Sequence, residues 1–161
     1  MKRLLCLILV IITFPCFGQN IFDKYNNPNV GTKAQDFVFY KIDEPKIEHK
    51  LYEIKSYYTM LLFYNPDCEH CLKKIKQMKN NDTINHLIEV DSLIVIAIPP
   101  EVDKQTIEQS HCSLPKKWIS AYCDEKNYNI ITSKYIWKVP EVFVLDINKR
   151  VIKVEIENDE Q

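Results

Sequence analysis

Cys68-Glu69-His70-Cys71 is the stretch of this sequence with the clearest capacity for chemistry. Two cysteines three positions apart can close a short disulfide when they share the first turn of a helix. The neighbouring residues supply that turn. Upstream, Met60-Leu-Leu-Phe-Tyr64 is continuously apolar, as a central strand covered on both faces is, and Pro66-Asp67 stops it. Downstream, Cys71, Leu72, Ile75 and Met78 recur at three- and four-residue spacing, while Lys73, Lys74, Lys76 and Lys79 lie largely elsewhere. The pattern predicts a helix from Cys68 that ends at Asn80-Asn81. At its start Cys68 meets unpaired backbone N–H groups and the positive end of the helix dipole, which favour the thiolate, and Cys71 sits one turn deeper. An exposed nucleophile with a buried resolving partner is the expected arrangement.

The residues between the cysteines tune such a pair. Positive charge on His70 stabilises the reduced form and makes the disulfide a stronger oxidant, Asp67 and Glu69 oppose it, and Lys73 and Lys74 tilt the count back. About 30 mV corresponds to about 1.4 kcal/mol for a two-electron couple, so modest local charges separate a reductant from an oxidant. Three other readings stand beside this one. The pair is half of a zinc site completed by Cys112 and Cys123 or His111, or it is a permanently closed structural disulfide, or His70 is simply a solvated loop histidine.

The elements that must position the pair follow from the rest of the pattern. Phe37-Val-Phe-Tyr40 reads as a strand and Asp43-Glu-Pro45 as a turn, followed by a strand over Tyr57 to Tyr64. Thr83 to Val90 is a short amphipathic piece that leads to a second buried strand, Ser92 to Ile98, closed by Pro99-Pro100. Val102 to about Ser110 reads as a helix, Ile119 to Tyr122 as a short strand, and Ser133 to Trp137 as a brief helical turn. Glu141 to Asp146 and Val151 to Glu157 are strands joined tightly through Ile147-Asn-Lys-Arg150, which suits a hairpin. Strands alternating with helices before a terminal hairpin predict an α/β domain with a mixed central sheet flanked by helices. Trp118, Trp137 and the tyrosines at 122, 128 and 135 are expected to pack in the core and at its rim.

The amino terminus looks like an address. Met1-Lys2-Arg3 is a positive start, Leu4 to Phe14 is an apolar run, and Pro15-Cys16-Phe17-Gly18 ends in a small residue, the pattern of a secretory signal cleaved after Gly18. Such a run spans only about 16 Å as a helix against roughly 30 Å of hydrocarbon, so no permanent membrane span is expected. Residues 1–18 are thus a signal peptide, 19–33 a flexible lead-in containing Asn26-Asn27-Pro28-Asn29, and 34–161 the domain. Export to a periplasmic or extracellular space puts Cys68, Cys71, Cys112 and Cys123 where disulfides persist. A second disulfide between Cys112 and Cys123, or two separate buried thiols, fits the other two cysteines.

Composition excludes several functions. Of 21 basic residues, Lys2 and Arg3 leave with the signal; the remaining 19 face 22 acidic ones, a charge of −3 that gives nucleic acid nothing to bind. With Gly18 in the signal, Gly31 alone remains, too few glycines for a phosphate loop, a dinucleotide fingerprint or a nucleophile elbow.

The sequence resembles the thioredoxin-like superfamily, and within it the exported TlpA/ResA-like thiol-disulfide proteins. Gly31-Thr-Lys-Ala-Gln-Asp-Phe37 looks like the segment that leads into their first strand. Leu61 to Cys71 is similar to their strand and active-site helix, and Val139-Pro-Glu-Val-Phe-Val-Leu-Asp146 resembles the segment bearing their cis-proline. The similarity spans about residues 31 to 157. It implies a thioredoxin-like fold and exchange of disulfides with protein substrates: Cys68 attacks and Cys71 resolves. Pro140 would be cis beside the disulfide, and the Val139 backbone would pair with a substrate strand; a trans proline that merely opens an edge strand is the other reading. The partners implied are protein thiols and disulfides and an upstream redox protein, with no bound cofactor and no metal.

The sequence also departs from that family. Asp67 stands where tryptophan usually precedes the first cysteine, Leu62 where thioredoxins bury an acid, and Lys74 where reducing ResA-like members carry one. The chain ends soon after its last strand, so the closing helix common in the family is expected to be absent and one sheet face less covered. A non-catalytic binding module that uses that face or the proline groove is the alternative function, and a zinc-stapled domain the third.

Overall fold

The computed structural model describes residues 29–99, 114–136 and 138–156. The chain runs β1 (Val38–Lys41), β2 (Glu44–Lys50), a 3-10 turn (Leu51–Glu53), β3 (Tyr58–Phe63), α1 (Glu69–Lys79) and α2 (Asp82–Glu89). It continues through β4 (Leu93–Ile98), β5 (Ile119–Tyr122), α3 (Glu125–Lys134), β6 (Glu141–Leu145) and β7 (Val151–Ile156). The strands form one mixed sheet in the order β2-β1-β5-β4-β3-β6-β7. β3, β4 and β5 are parallel, whereas β6 pairs antiparallel with both β3 and β7, and β1 with both β2 and β5. This is the mixed central sheet with flanking helices and terminal hairpin that the sequence predicts.

Period-two alternation builds both cores, because successive side chains of a strand point to opposite faces. On one face Leu61 and Phe63 of β3 join Ile96 and Ile98 of β4, Phe143 of β6 and Ile131 of α3. On the other, Met60 and Leu62 of β3 join Val95 of β4, and Cys71, Ile75 and Met78 bring in α1. Burial of each such leucine, isoleucine or phenylalanine contributes roughly 1.5–3 kcal/mol. A strand sandwiched this way has no polar face, which is why 60–64 is an unbroken apolar run. Trp118 and Tyr135 are buried and Tyr122 stacks on Tyr40, so these aromatics serve packing.

Two expectations are corrected. The turn expected at Asp43-Glu-Pro45 closes earlier, at Ile42 and Asp43, and Glu44 and Pro45 already belong to β2. β2 is an outer strand paired on one side only, so Pro45 has room for its missing N–H, and with Ile47 exposed the strand buries no apolar face that alternation could report. The brief turn expected at Ser133 to Trp137 is instead the ten-residue helix α3, nucleated at Asp124, whose carboxylate accepts the Asn127 N–H at 2.8 Å. The signal and lead-in up to residue 28, the helix expected over Val102 to Ser110, Cys112 and Trp137 lie outside the described residues.

Candidate functional site

The cysteine pair lies where β3 hands over to α1. β3 ends at Phe63, and Tyr64 stays fully buried with its N–H on the Ile98 carbonyl. Asn65 then organises the loop. Its carbonyl accepts the Cys68 N–H at 3.1 Å, its side-chain oxygen accepts the Asp67 N–H at 2.8 Å, and its own N–H donates to the Cys71 sulfur at 3.3 Å. An asparagine side chain that turns the chain back in this way is a local mimic of a backbone turn. Cys68 becomes the N-cap of α1, extended at φ −92° and ψ 118°, and its carbonyl accepts the Leu72 N–H that opens the helix.

Both sulfurs are free thiols, and their surroundings differ. Cys68 is partly exposed, whereas Cys71 has no exposed surface and heads the buried stripe continued by Ile75 and Met78. Cys68 packs at the edge of the same cluster. Glu69 and His70 both face solvent, and among the described residues neither makes a hydrogen bond or ion pair. They can act on the thiols only through their charge.

The strand segment opposite converges on the same end of the sheet. Val139–Pro140 is a cis peptide, as the resemblance implies. Val139 borders both hydrophobic clusters, including the one that holds Cys68 and Cys71. Glu141 then opens β6 with no exposed surface and lies opposite Phe63 in the ladder. Sequence reasoning did not single out Glu141 or the Asn65 N–H. A carboxylate beside a proline at the head of an apolar strand is a weak hint of the first, and a main-chain donor leaves none of the second.

Cys123 does not join the site. It directly follows β5 in the cluster on the opposite face of the sheet, and burial, helped by the neighbouring Asp124, pushes its thiol well above the ordinary range. A zinc site that includes Cys68, Cys71 and Cys123 is therefore overturned by position, and the described residues contain no group of three potential ligands. The pairing of Cys112 with Cys123 lies outside the described residues.

A second feature sits beside the thiol helix. Met60, Met78, Leu87, Val142, Val144 and Ile152 help line an apolar groove of about 570 Å³ between α1, α2 and the strands β3, β6 and β7. Among the described residues no helix is long and apolar enough to cross a membrane.

No family model matches the chain, and no curated protein does. Solved structures do. A thioredoxin-like protein from Bacteroides caccae is 27% identical with a TM-score of 0.72 over 80% of this chain and 46% of its own, so the chain spans less than half of that protein. A conserved protein of unknown function from Bacteroides fragilis is 29% identical with a TM-score of 0.69, over 78% of this chain and 90% of its own. The thioredoxin domain of a thiol-disulfide oxidoreductase from Bacteroides vulgatus, 14% identical, shares the fold with a TM-score of 0.66 over 81% of this chain and 91% of its own. With the strand, the paired thiols at a helix start and the cis-proline strand in register beside them, the chain belongs to the thioredoxin-like superfamily.

Proposed function

We propose that the protein is an exported thiol-disulfide oxidoreductase that exchanges disulfides with protein substrates through Cys68 and Cys71. The observation that carries this reading is the asymmetry of the pair: a partly exposed thiol caps α1, and a fully buried one lies a turn further on against the Asn65 N–H. In the reducing direction the Cys68 thiolate attacks a substrate disulfide, a new S–S bond forms to Cys68, and the first substrate thiolate leaves. The Cys71 thiolate then attacks the Cys68 sulfur, the mixed disulfide breaks, and the second substrate thiolate leaves. The substrate has gained two electrons and two protons, the chain holds a Cys68–Cys71 disulfide, and an upstream dithiol protein restores it. Oxidation of substrates is the same sequence reversed.

Val139 and Pro140 are the substrate-binding residues of this reading, the Val139 backbone offering its polar groups to an extended substrate segment beside the thiols. Glu69 and His70 adjust the potential at a distance, and no bound cofactor takes part. Export rests on the apolar run Leu4 to Phe14 and its small-residue end at Gly18.

Trapping tests the reading. In Cys71→Ser attack proceeds and resolution cannot, so mixed disulfides accumulate on Cys68, whereas Cys68→Ser abolishes both turnover and trapping. If neither substitution changes insulin reduction relative to buffer, the oxidoreductase reading fails. The apolar groove beside α1 favours the second reading, a binding module without turnover, and in that case the dithiol shows no reversible potential on titration against glutathione.

A further inference from the structure

At the far end of β3 from the thiols, Lys149 occupies an unusual position. It lies in the turn between β6 and β7 with φ at 61°, a left-handed conformation that L-residues other than glycine, asparagine and aspartate adopt at a cost. The turn is held in that shape by Asp146, whose side-chain oxygen accepts the N–H groups of Asn148 and Arg150 at 2.9 and 2.8 Å. The result is that a lysine is only 3% exposed.

Its ammonium is poorly provided for. Nζ donates to Thr59 Oγ1 at 3.0 Å; the Thr59 hydroxyl meets Ser56 Oγ at 3.1 Å, which in turn donates to the Tyr58 carbonyl at 2.7 Å. This chain of neutral groups uses one of the three ammonium donors. Among the described residues no carboxylate lies within ion-pair distance of Nζ. Burial of a cation without a direct ion pair is costly, and it lowers the affinity of this amine for its proton, an effect that the nearby charge of Asp146 opposes.

The same lysine lines a cavity of about 450 Å³ whose other walls are Lys33, Tyr52, Ile147, Asn148 and Arg150. Its lining has three cationic residues and no acidic one, although the mature chain is net negative. Lys33 rests over the Tyr52 ring, 4.4 Å from its centre, and Arg150 donates through one nitrogen to the Gly31 carbonyl at 3.0 Å, which leaves the rest of its fork available. We propose that this cavity is a binding site for a polyvalent oxyanion of the phosphate class, with Lys149, Arg150 and Lys33 as its cationic partners. A tetrahedral dianion suits it better than a carboxylate, because it accepts from donors arriving in several directions and supplies more than one negative charge to three cations. β3 separates the cavity from the thiol end by about 16 Å of strand at ~3.3 Å per residue, so the bound anion takes no part in thiol exchange.

Titration of the full chain with inorganic phosphate, against chloride at matched ionic strength, tests this. Calorimetry should show saturable binding, backbone amide shifts should be confined to 147–151 and 30–34, and phosphate should raise the thermal midpoint more than chloride does. Lys149→Met should weaken phosphate binding by about tenfold or more, the loss of one charge-assisted hydrogen bond. Should that variant not fold, Arg150→Gln, altered only at the rim, should weaken binding with the fold intact. Amide shifts that merely follow ionic strength, or phosphate affinity unchanged in the variants that fold, overturn the proposal, as does an acidic peptide that binds here while phosphate does not.

Discussion

The N–H of Asn65 is aimed at the sulfur of Cys71 across 3.3 Å, so the buried thiol is contacted by a main-chain donor that no side-chain substitution other than proline removes. The Asn65 side chain meanwhile holds the Asp67 N–H. Loop shape and thiol environment thus come from one residue through two separate groups. Asn65→Ala should keep the sulfur contact and destabilise the fold by about 0.5–1.5 kcal/mol, the usual worth of one hydrogen bond, whereas Asn65→Pro should also shift the thiol-disulfide potential. Denaturant melts and glutathione equilibration separate the two effects, and equal potentials in the two variants would refute the role given to the N–H.

Native alkylation should rank the thiols by access. Among the described cysteines only Cys68 is not buried, so iodoacetamide at neutral pH should label it while Cys71 and Cys123 stay protected until denaturant is added. Peptide mass spectrometry reads the order directly. Early labelling of Cys71 would reverse the assignment of nucleophile and resolver.

Leu61 lies at the centre of β3 with no exposed surface, in the cluster with Phe63, Ile96 and Phe143. Leu61→Ala should cost about 2–5 kcal/mol, the range for emptying a leucine site in a packed core. A loss under about 1 kcal/mol in urea melts would mean that the sheet repacks around the gap.

Asp124 caps α3, and its carboxyl is held below the ordinary 3.8 chiefly by the Asn127 backbone N–H and then by the Asn127 side chain. A carboxylate whose folded pKa is depressed stabilises fully above its unfolded pKa and loses that contribution as pH falls through the folded value. Asp124→Ala should therefore cost about 1 kcal/mol at pH 7, and the gap to wild type should narrow below about pH 4. Because the group is only part-buried, added salt should reduce the charge-dependent share. Asp124→Asn, an equally good cap without charge, should lose less stability than wild type on acidification.

Gly31 has φ at 89°, and a Cβ built there would meet nothing within 4 Å. Any cost of Gly31→Ala is then purely conformational, about 1 kcal/mol, with no repacking to relieve it. A neutral effect on the thermal midpoint would show that the 29–33 turn changes shape at little cost.

Legibility in the sequence followed burial. β3 and β4 are readable because both faces are covered, so Met60 to Tyr64 and Leu93 to Ile98 carry no polar interruption. β2 is not, because its only apolar residue between Glu44 and Lys50 other than Pro45 is Ile47, which faces solvent. α3 hides for a related reason. Its buried residues are Asn127 and Ile131, too few for a stripe, and the Asp124 cap four positions before Tyr128 was the usable signal. The thiol pair and Pro140 announce themselves by residue type and spacing. The burial of Glu141 and the Asn65 donor do not, since both arise from where the strands end in space.

The β1–β2 hairpin is fastened to the sheet at one seam. β2 pairs with β1 alone, and β1 pairs with β5 at Tyr40 with Tyr122 and Lys41 with Ala121, a short seam extended by the Ile42 N–H on the Ser120 carbonyl at 3.0 Å, the Tyr122 hydroxyl on the Pro45 carbonyl at 3.3 Å and the stacked Tyr40 and Tyr122 rings. Phe39 and Leu51 pin it from below. Its amides should accordingly exchange with solvent through local opening, as a separate cooperative unit of lower stability than the β3–β4–β6 ladder. That unit can fray and re-dock while the thiol end of the sheet keeps its shape, so mobility in the hairpin need not reach Cys68 and Cys71.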